Sequence, residues 1–168
     1  MELATLRELF VHELKDLYSA ENMIIKALPK MIEKVASPQL KSALSNHLKE
    51  TEGQVVRLDK IFDELEEQND DVDRTDKKCK GIEGIIKENE DLLKEDAEPD
   101  VRDAGIIAGA QRVEHYEIAA YGTVRTYANL LGHNEWARLL EETLNEEKSA
   151  DEKLNMLSTS INLDAKAA

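Results

Sequence analysis

Acidic side chains stand where a helix should bury hydrocarbon. Four long stretches of the chain carry apolar residues at helical spacing, and projecting each at about 100° per residue shows which polar groups share its buried face. In the first, Glu21 falls within the arc of Leu17, Ile24 and Leu28. In the second, His47 and Gln54 fall on the core side, with Glu50 at its edge. In the third, Glu117 is central among Ala110, Val113, Val124 and Ala128, and Glu114 lies at the edge of that stripe. In the fourth, Glu147 sits among Trp136, Leu140, Thr143 and Leu154, with Asp151 one turn on.

A carboxylate turned into a hydrophobic core is costly unless something compensates it, and several together also repel one another. A divalent cation relieves both costs, because it takes oxygen ligands and holds the acids ionised. The expected metal set is therefore Glu21, Glu50, Gln54, Glu114, Glu117, Glu147 and Asp151. The groups also share a level. The helix midpoints fall near residues 19, 52, 116 and 148, and each candidate lies within about a turn of one of them. Four helices of similar length packed side by side bring such positions into one layer.

Di-iron carboxylate bundles carry Glu-x-x-His on two helices. Here Glu50 is followed at that spacing by Gly53, and Glu147 by Ala150. The additional groups come four residues on, as Gln54 and Asp151, still on the same helix face. The expected site is rich in oxygen and poor in imidazole, which suits iron(II) or manganese, and also magnesium. A metal-free network of core ion pairs is the alternative reading. His47 projects inward as a ligand, a carboxylate partner or a packed core group. His12 and His115 project outward, and His133 falls in a turn. Tyr121, one turn from Glu117, either bonds a ligand or packs in the core.

The elements that must position these groups follow from punctuation. A first helix is expected from about Leu3 to Lys34, kinked at Pro29. Ser37-Pro38 restarts the chain as N-cap and first helical residue, opening a helix to about Glu66. Residues 68–78 are polar and read as a loop, followed by a short amphipathic helix from about Lys80 to Lys94. Pro99 opens a third long helix that Gly132 ends, and Asn134 is expected to cap a fourth running to about Asn162. Two short turns and one connection of more than thirty residues make a pair of hairpins joined by a long crossover. That is the ferritin-like form of an all-α four-helix bundle, with a short extra helix in the crossover. Residues 1–162 are expected to form one domain and 163–168 a frayed tail.

Composition agrees. The chain has 168 residues, with few Gly (7) and Pro (3) to break helices, and aromatic residues at only 4% argue against strands. The formal charge of −14 repels phosphate backbones, so nucleic acid is set aside as a partner. The same charge attracts cations, and it also serves plain solubility. Apolar runs fall short of the roughly 20 residues a membrane span needs. The single Cys79 forms no internal disulfide and reads as a small core residue. With no secretory signal pattern, a reducing cytoplasm is expected.

Several segments together carry a resemblance. Leu9-Phe10, His12, Asp16 and Tyr18-Ser19-Ala20-Glu21 come first. His47-Leu48, Glu50-Thr51, Gln54 and Arg57-Leu58 follow, then Val113-Glu114-His115-Tyr116-Glu117-Ile118-Ala119-Ala120-Tyr121-Gly122. Glu142-Thr143-Leu144, Glu146-Glu147-Lys148 and Asp151 complete the set. On these the chain resembles the YciE/YciF family of bacterial stress proteins from about Leu3 to Leu157. The resemblance implies a ferritin-like bundle, usually a homodimer, in the bacterial cytoplasm. It also implies a metal site on Glu21, Glu50, Glu117 and Glu147, with Asp16 and Asp151 as further members. Some relatives carry His at the position of Gln54, so the implied site lacks that imidazole. The implied function is a di-metal centre handling iron or peroxide. The competing one is a non-catalytic dimeric scaffold whose metal site is vestigial.

Overall fold

The structure is a computed structural model and describes residues 3–68 and 72–168. Among these, five helices and no strands are present: α1 (Leu6–Lys34), α2 (Pro38–Glu67), α3 (Lys80–Leu92), α4 (Pro99–Leu130) and α5 (Asn134–Ala167). The four long helices form the expected ferritin-like bundle. α1 pairs with α2 and α4 with α5, the two hairpins contact each other through α1–α4 and α2–α5, and α3 lies against α4 and α1.

Local chemistry sets the boundaries. Thr5 and Glu8 form a capping box at the start of α1, and α1 continues through Pro29. Ser37 caps α2 with Pro38 in its first turn. The buried Asp103 carboxylate fixes this turn, accepting the backbone N–H groups of Ala36 at 3.0 Å and Ser37 at 2.7 Å. Gly132, at φ 82°, ends the α4 region in the left-handed conformation that glycine favours.

Three boundaries differ from expectation: α1 begins at Leu6 behind its Thr5 cap and not near Leu3, and both ends of α5 differ. α5 is capped by His133, not Asn134, with no side-chain capping bond. The His133 ring instead stacks on Trp136 at 3.8 Å and meets Arg7 at 3.3 Å, so a tertiary contact decides the cap. α5 also runs on to Ala167, because Ile161 is buried and packs with the core near that end.

The crossover is strapped to the bundle by charge. Arg74 reaches Asp59, Asp63 and Glu66, and lies over the Phe62 ring. Lys15 pairs with Asp76 at 2.7 Å, and Lys77 with Asp16 at 3.3 Å.

The apolar interior is divided in two. One cluster contains Phe10, Leu14, Leu17, Phe62, Val124, Trp136 and Leu140. The other contains Ile24, Leu28, Leu40, Leu44, Ile82, Ile106 and Leu154. Where the two meet along each long helix lie the buried polar residues Glu21, His47, Thr51, Gln54, Glu114, Glu117, Thr143 and Glu147.

Candidate metal centre

Each long helix contributes to this layer: α1 gives Glu21, α2 gives His47 and Gln54, α4 gives Glu114, Glu117 and Tyr121, and α5 gives Glu147. All are buried. One ligand atom from each of His47, Glu114, Glu117 and Glu147 lies within 4.8 Å of the others. His47 Nε2 is 3.3 Å from Glu114 Oε1, but the approach is off-line and neither ring nitrogen makes a hydrogen bond.

Two further members are held from the sides. The Tyr121 hydroxyl donates to Glu21 Oε1. Gln54 Nε2 donates to Glu147 Oε1 and, at 3.1 Å, to Glu146 Oε2. Glu146 is in turn held by Arg57, whose guanidinium donates to both its oxygens at 2.8 and 2.6 Å and also reaches Glu142 and Thr143. This Arg57–Glu146 support lies outside the metal set expected from helix phase. Its signal was Arg57 one helical turn beyond Gln54 and Glu146 beside Glu147, on faces that meet only once α2 and α5 are paired.

Burial pushes the Glu21 carboxyl well above the usual range, and the negative charge of Glu147 adds to this, against the Tyr121 hydrogen bond. Glu117 is raised by burial, then by Glu21, Glu147 and Glu114. Glu114 is raised by burial and then by Glu147. These groups resist ionisation together, as like charges in a dry space must.

The donors are also under-used. Both Glu117 oxygens, one oxygen each of Glu21, Glu114 and Glu147, Gln54 Oε1 and both His47 nitrogens lack a hydrogen-bond partner. Buried polar atoms are rarely left so. A divalent cation would take carboxylate and amide oxygens and a neutral imidazole together, so the donor set fits such an ion.

Of the seven metal residues expected from sequence, five (Glu21, Gln54, Glu114, Glu117 and Glu147) lie in the buried layer. Glu50 and Asp151 stand at its rim. Glu50 has a side chain 32% exposed, 3.9 Å from His47 Nδ1 and 3.7 Å from Lys153 Nζ. Asp151 is bonded to Gln111 and Asn155 and faces the exposed His115 at 3.4 Å. Asp16, brought in by resemblance, faces the crossover instead, accepting from Tyr116 at 2.5 Å and pairing with Lys77. His47, left open between ligand and packing, belongs to the central four. Cys79 is buried as expected, 3.1 Å from the Tyr116 hydroxyl.

The comparisons agree with this architecture. A family described as a domain of unknown function, DUF892, matches residues 5–166. Protein YciF of Escherichia coli K12 is 42% identical over 167 residues, covering 99% of this chain and 98% of that one. The crystal structure of the E. coli stress protein YciF superposes with a TM-score of 0.86 at 40% identity, covering 94% of this chain and 97% of that one. YcfI of Rhodopseudomonas palustris, described provisionally as a structural protein, gives 0.85 at 45% identity, covering 92% and 95%. Matched by the family model over residues 5–166, by Escherichia coli YciF over nearly the whole of both sequences, and by the fold of the YciF crystal structure, the chain belongs to the DUF892 family, the family of YciF.

Proposed function

We propose that this protein binds a pair of divalent cations, iron(II) or manganese(II), in the carboxylate layer of its bundle, and acts there on iron or peroxide as part of a stress response. The ligands in this reading are Glu21, His47, Gln54, Glu114, Glu117 and Glu147, while Glu50 and Asp151 stand at the rim, outside the ligand set. The observation that carries it is the set of buried carboxylate oxygens without partners, Glu117 above all. Such ions, when bound, supply Lewis acidity and, for iron, one-electron redox chemistry.

The chain's own residues do the rest. Tyr121 orients Glu21, Gln54 orients Glu147, and the Arg57–Glu146 pair holds Gln54 in place. The two apolar clusters exclude water from either end of the layer. The homodimer and the cytoplasmic setting belong to the same reading. They are supported by the sequence resemblance, by the exposed apolar side chains of Val56, Leu130 and Met156, and by the buried thiol of Cys79. No helix among the described residues is long and apolar enough to cross a membrane.

A second reading is a structural protein with a vestigial site, favoured by the description of YcfI. Metal analysis after anaerobic loading with iron(II) or manganese(II) at neutral pH separates the two. About two ions per chain, lost in a Glu117→Ala, Glu147→Ala variant, supports the metal centre. No ion above background in the native chain moves the assignment to the structural reading.

A further inference from the structure

A narrow cleft runs from the surface between α2 and α5 to the His47–Glu114 edge of the layer. Its walls include Ala43 and Ala150, whose small side chains leave the gap, and its outer end holds Glu50 and Lys153. Glu50 stands between the two environments, one oxygen 3.7 Å from Lys153 Nζ and the other 3.9 Å from His47 Nδ1. Lys153 is 46% exposed. The free volume in the cleft is about 10 Å³, roughly what one water needs. A hydrated cation passes only if the Glu50 and Lys153 side chains swing aside, and both are long, flexible and partly in solvent.

We propose that this cleft is the way in for metal, with Glu50 as the carboxylate that captures a divalent cation and hands it to His47 and Glu114, and Lys153 as the cationic latch it must displace. This inference rests on the metal-centre reading above. It gives Glu50 a transit role instead of a resident one, which accounts for its partial exposure beside fully buried acids. A second cavity that touches His47 and Glu114 is lined mainly by Ile24, Ala27, Leu28, Met31, Ile86 and Val113. It offers a dication no charged group on its way to that edge, so it is the poorer route for an ion.

The test is rapid mixing of the full-length metal-free protein with cobalt(II), followed by visible absorption as ligands bind, alongside the final ion count per chain. Glu50→Gln should slow uptake about tenfold or more, and Lys153→Gln should speed it several-fold, both within the range that local charge steers association. Both variants should reach the native ion count. The same charge removal at Lys166, near the end of α5, should leave the rate unchanged. Thermal melts of the metal-free variants control for folding, and these partly exposed sites should melt as the native chain does. Uptake by Glu50→Gln within about twofold of native overturns the proposal. So does a lower final count in that variant, which would make Glu50 a resident ligand. Slowing by Ala27→Val, which narrows the apolar cavity, with Glu50→Gln unaffected, also overturns it and makes that cavity the route. A native chain that takes up no ion fails the metal-centre reading itself, a result distinct from all of these.

Discussion

The Tyr121 hydroxyl donates to the Glu21 carboxylate from α4 to α1, across the joint between the two helical hairpins, with both side chains fully buried. Burial and the nearby Glu21 charge raise the phenol well above its usual range, so it remains a donor at any physiological pH. Tyr121→Phe deletes the hydrogen bond to Glu21 Oε1, beside an Oε2 that already lacks a partner. The expected cost is about 1–3 kcal/mol of metal-free stability, read as a shift in urea midpoint at constant slope. Bound metal should reduce that cost, since it takes up the freed oxygen.

Stability of the metal-free protein should fall as pH rises above the ordinary carboxylate range. Glu21, Glu114 and Glu117 all hold their protons more tightly folded than unfolded. Their contribution is fully present below the unfolded value of about 4.3 and is lost as pH rises through the raised values. Asp16 acts with the opposite sign. Burial there is outweighed by hydrogen bonds from Cys79 and Tyr116 and by the charge of Lys77, so its contribution fades toward acid. Thermal melts from weakly acid to weakly alkaline pH should show a declining Tm without metal. Manganese(II) should restore it most at the alkaline end, where the acids are ready to ligate.

Arg57 touches none of the central four, yet it carries Glu146, and Glu146 shares the Gln54 amide with Glu147. Arg57→Ala should therefore lower metal affinity about 10–100-fold while leaving the number of ions unchanged, as loss of an outer supporting group does. Competition against a chelator of known strength reads this directly. An unaltered affinity would show that Glu147 is oriented without Arg57.

Gly109 provides the seat for α3. A Cβ there would lie 1.9 Å from Asn89 Oδ1 and 2.5 Å from its Cγ, and Asn89 is buried. Gly109→Ala should push α3 off α4 and cost about 1–3 kcal/mol. Hydrogen exchange should show that loss first in residues 80–92. Gly53→Ala, with nothing within 4 Å of the added carbon, serves as the tolerated control.

The hairpins and crossover were readable because Ser37-Pro38, Pro99 and Gly132 punctuate the chain through local sterics that tertiary structure does not override. Glu21, Gln54, Glu117 and Glu147 were readable for a related reason: each lies squarely in phase with its apolar stripe. Phase decides less at a stripe's edge. Glu114 and Glu50 both project there, but the first turns inward beside His47 and the second stays partly in solvent beside Lys153. Partner helices decide between those outcomes, and helix phase contains no partner. The start of α5 shows the same limit, since the residue that stands as its cap, His133, is met by Arg7 from α1.

A polar layer between two apolar clusters has a consequence for how the bundle assembles. Hydrocarbon side chains tolerate several alignments of helices sliding along one another. Carboxylates, imidazole and amide do not, because one turn of slippage would strand each of them among Leu and Ile. The layer thus acts as a vernier for the bundle, admitting one vertical alignment of its four rods, much as a lone buried asparagine sets the alignment of a coiled coil. The groups that cost the metal-free fold most are then the ones that make its geometry unique.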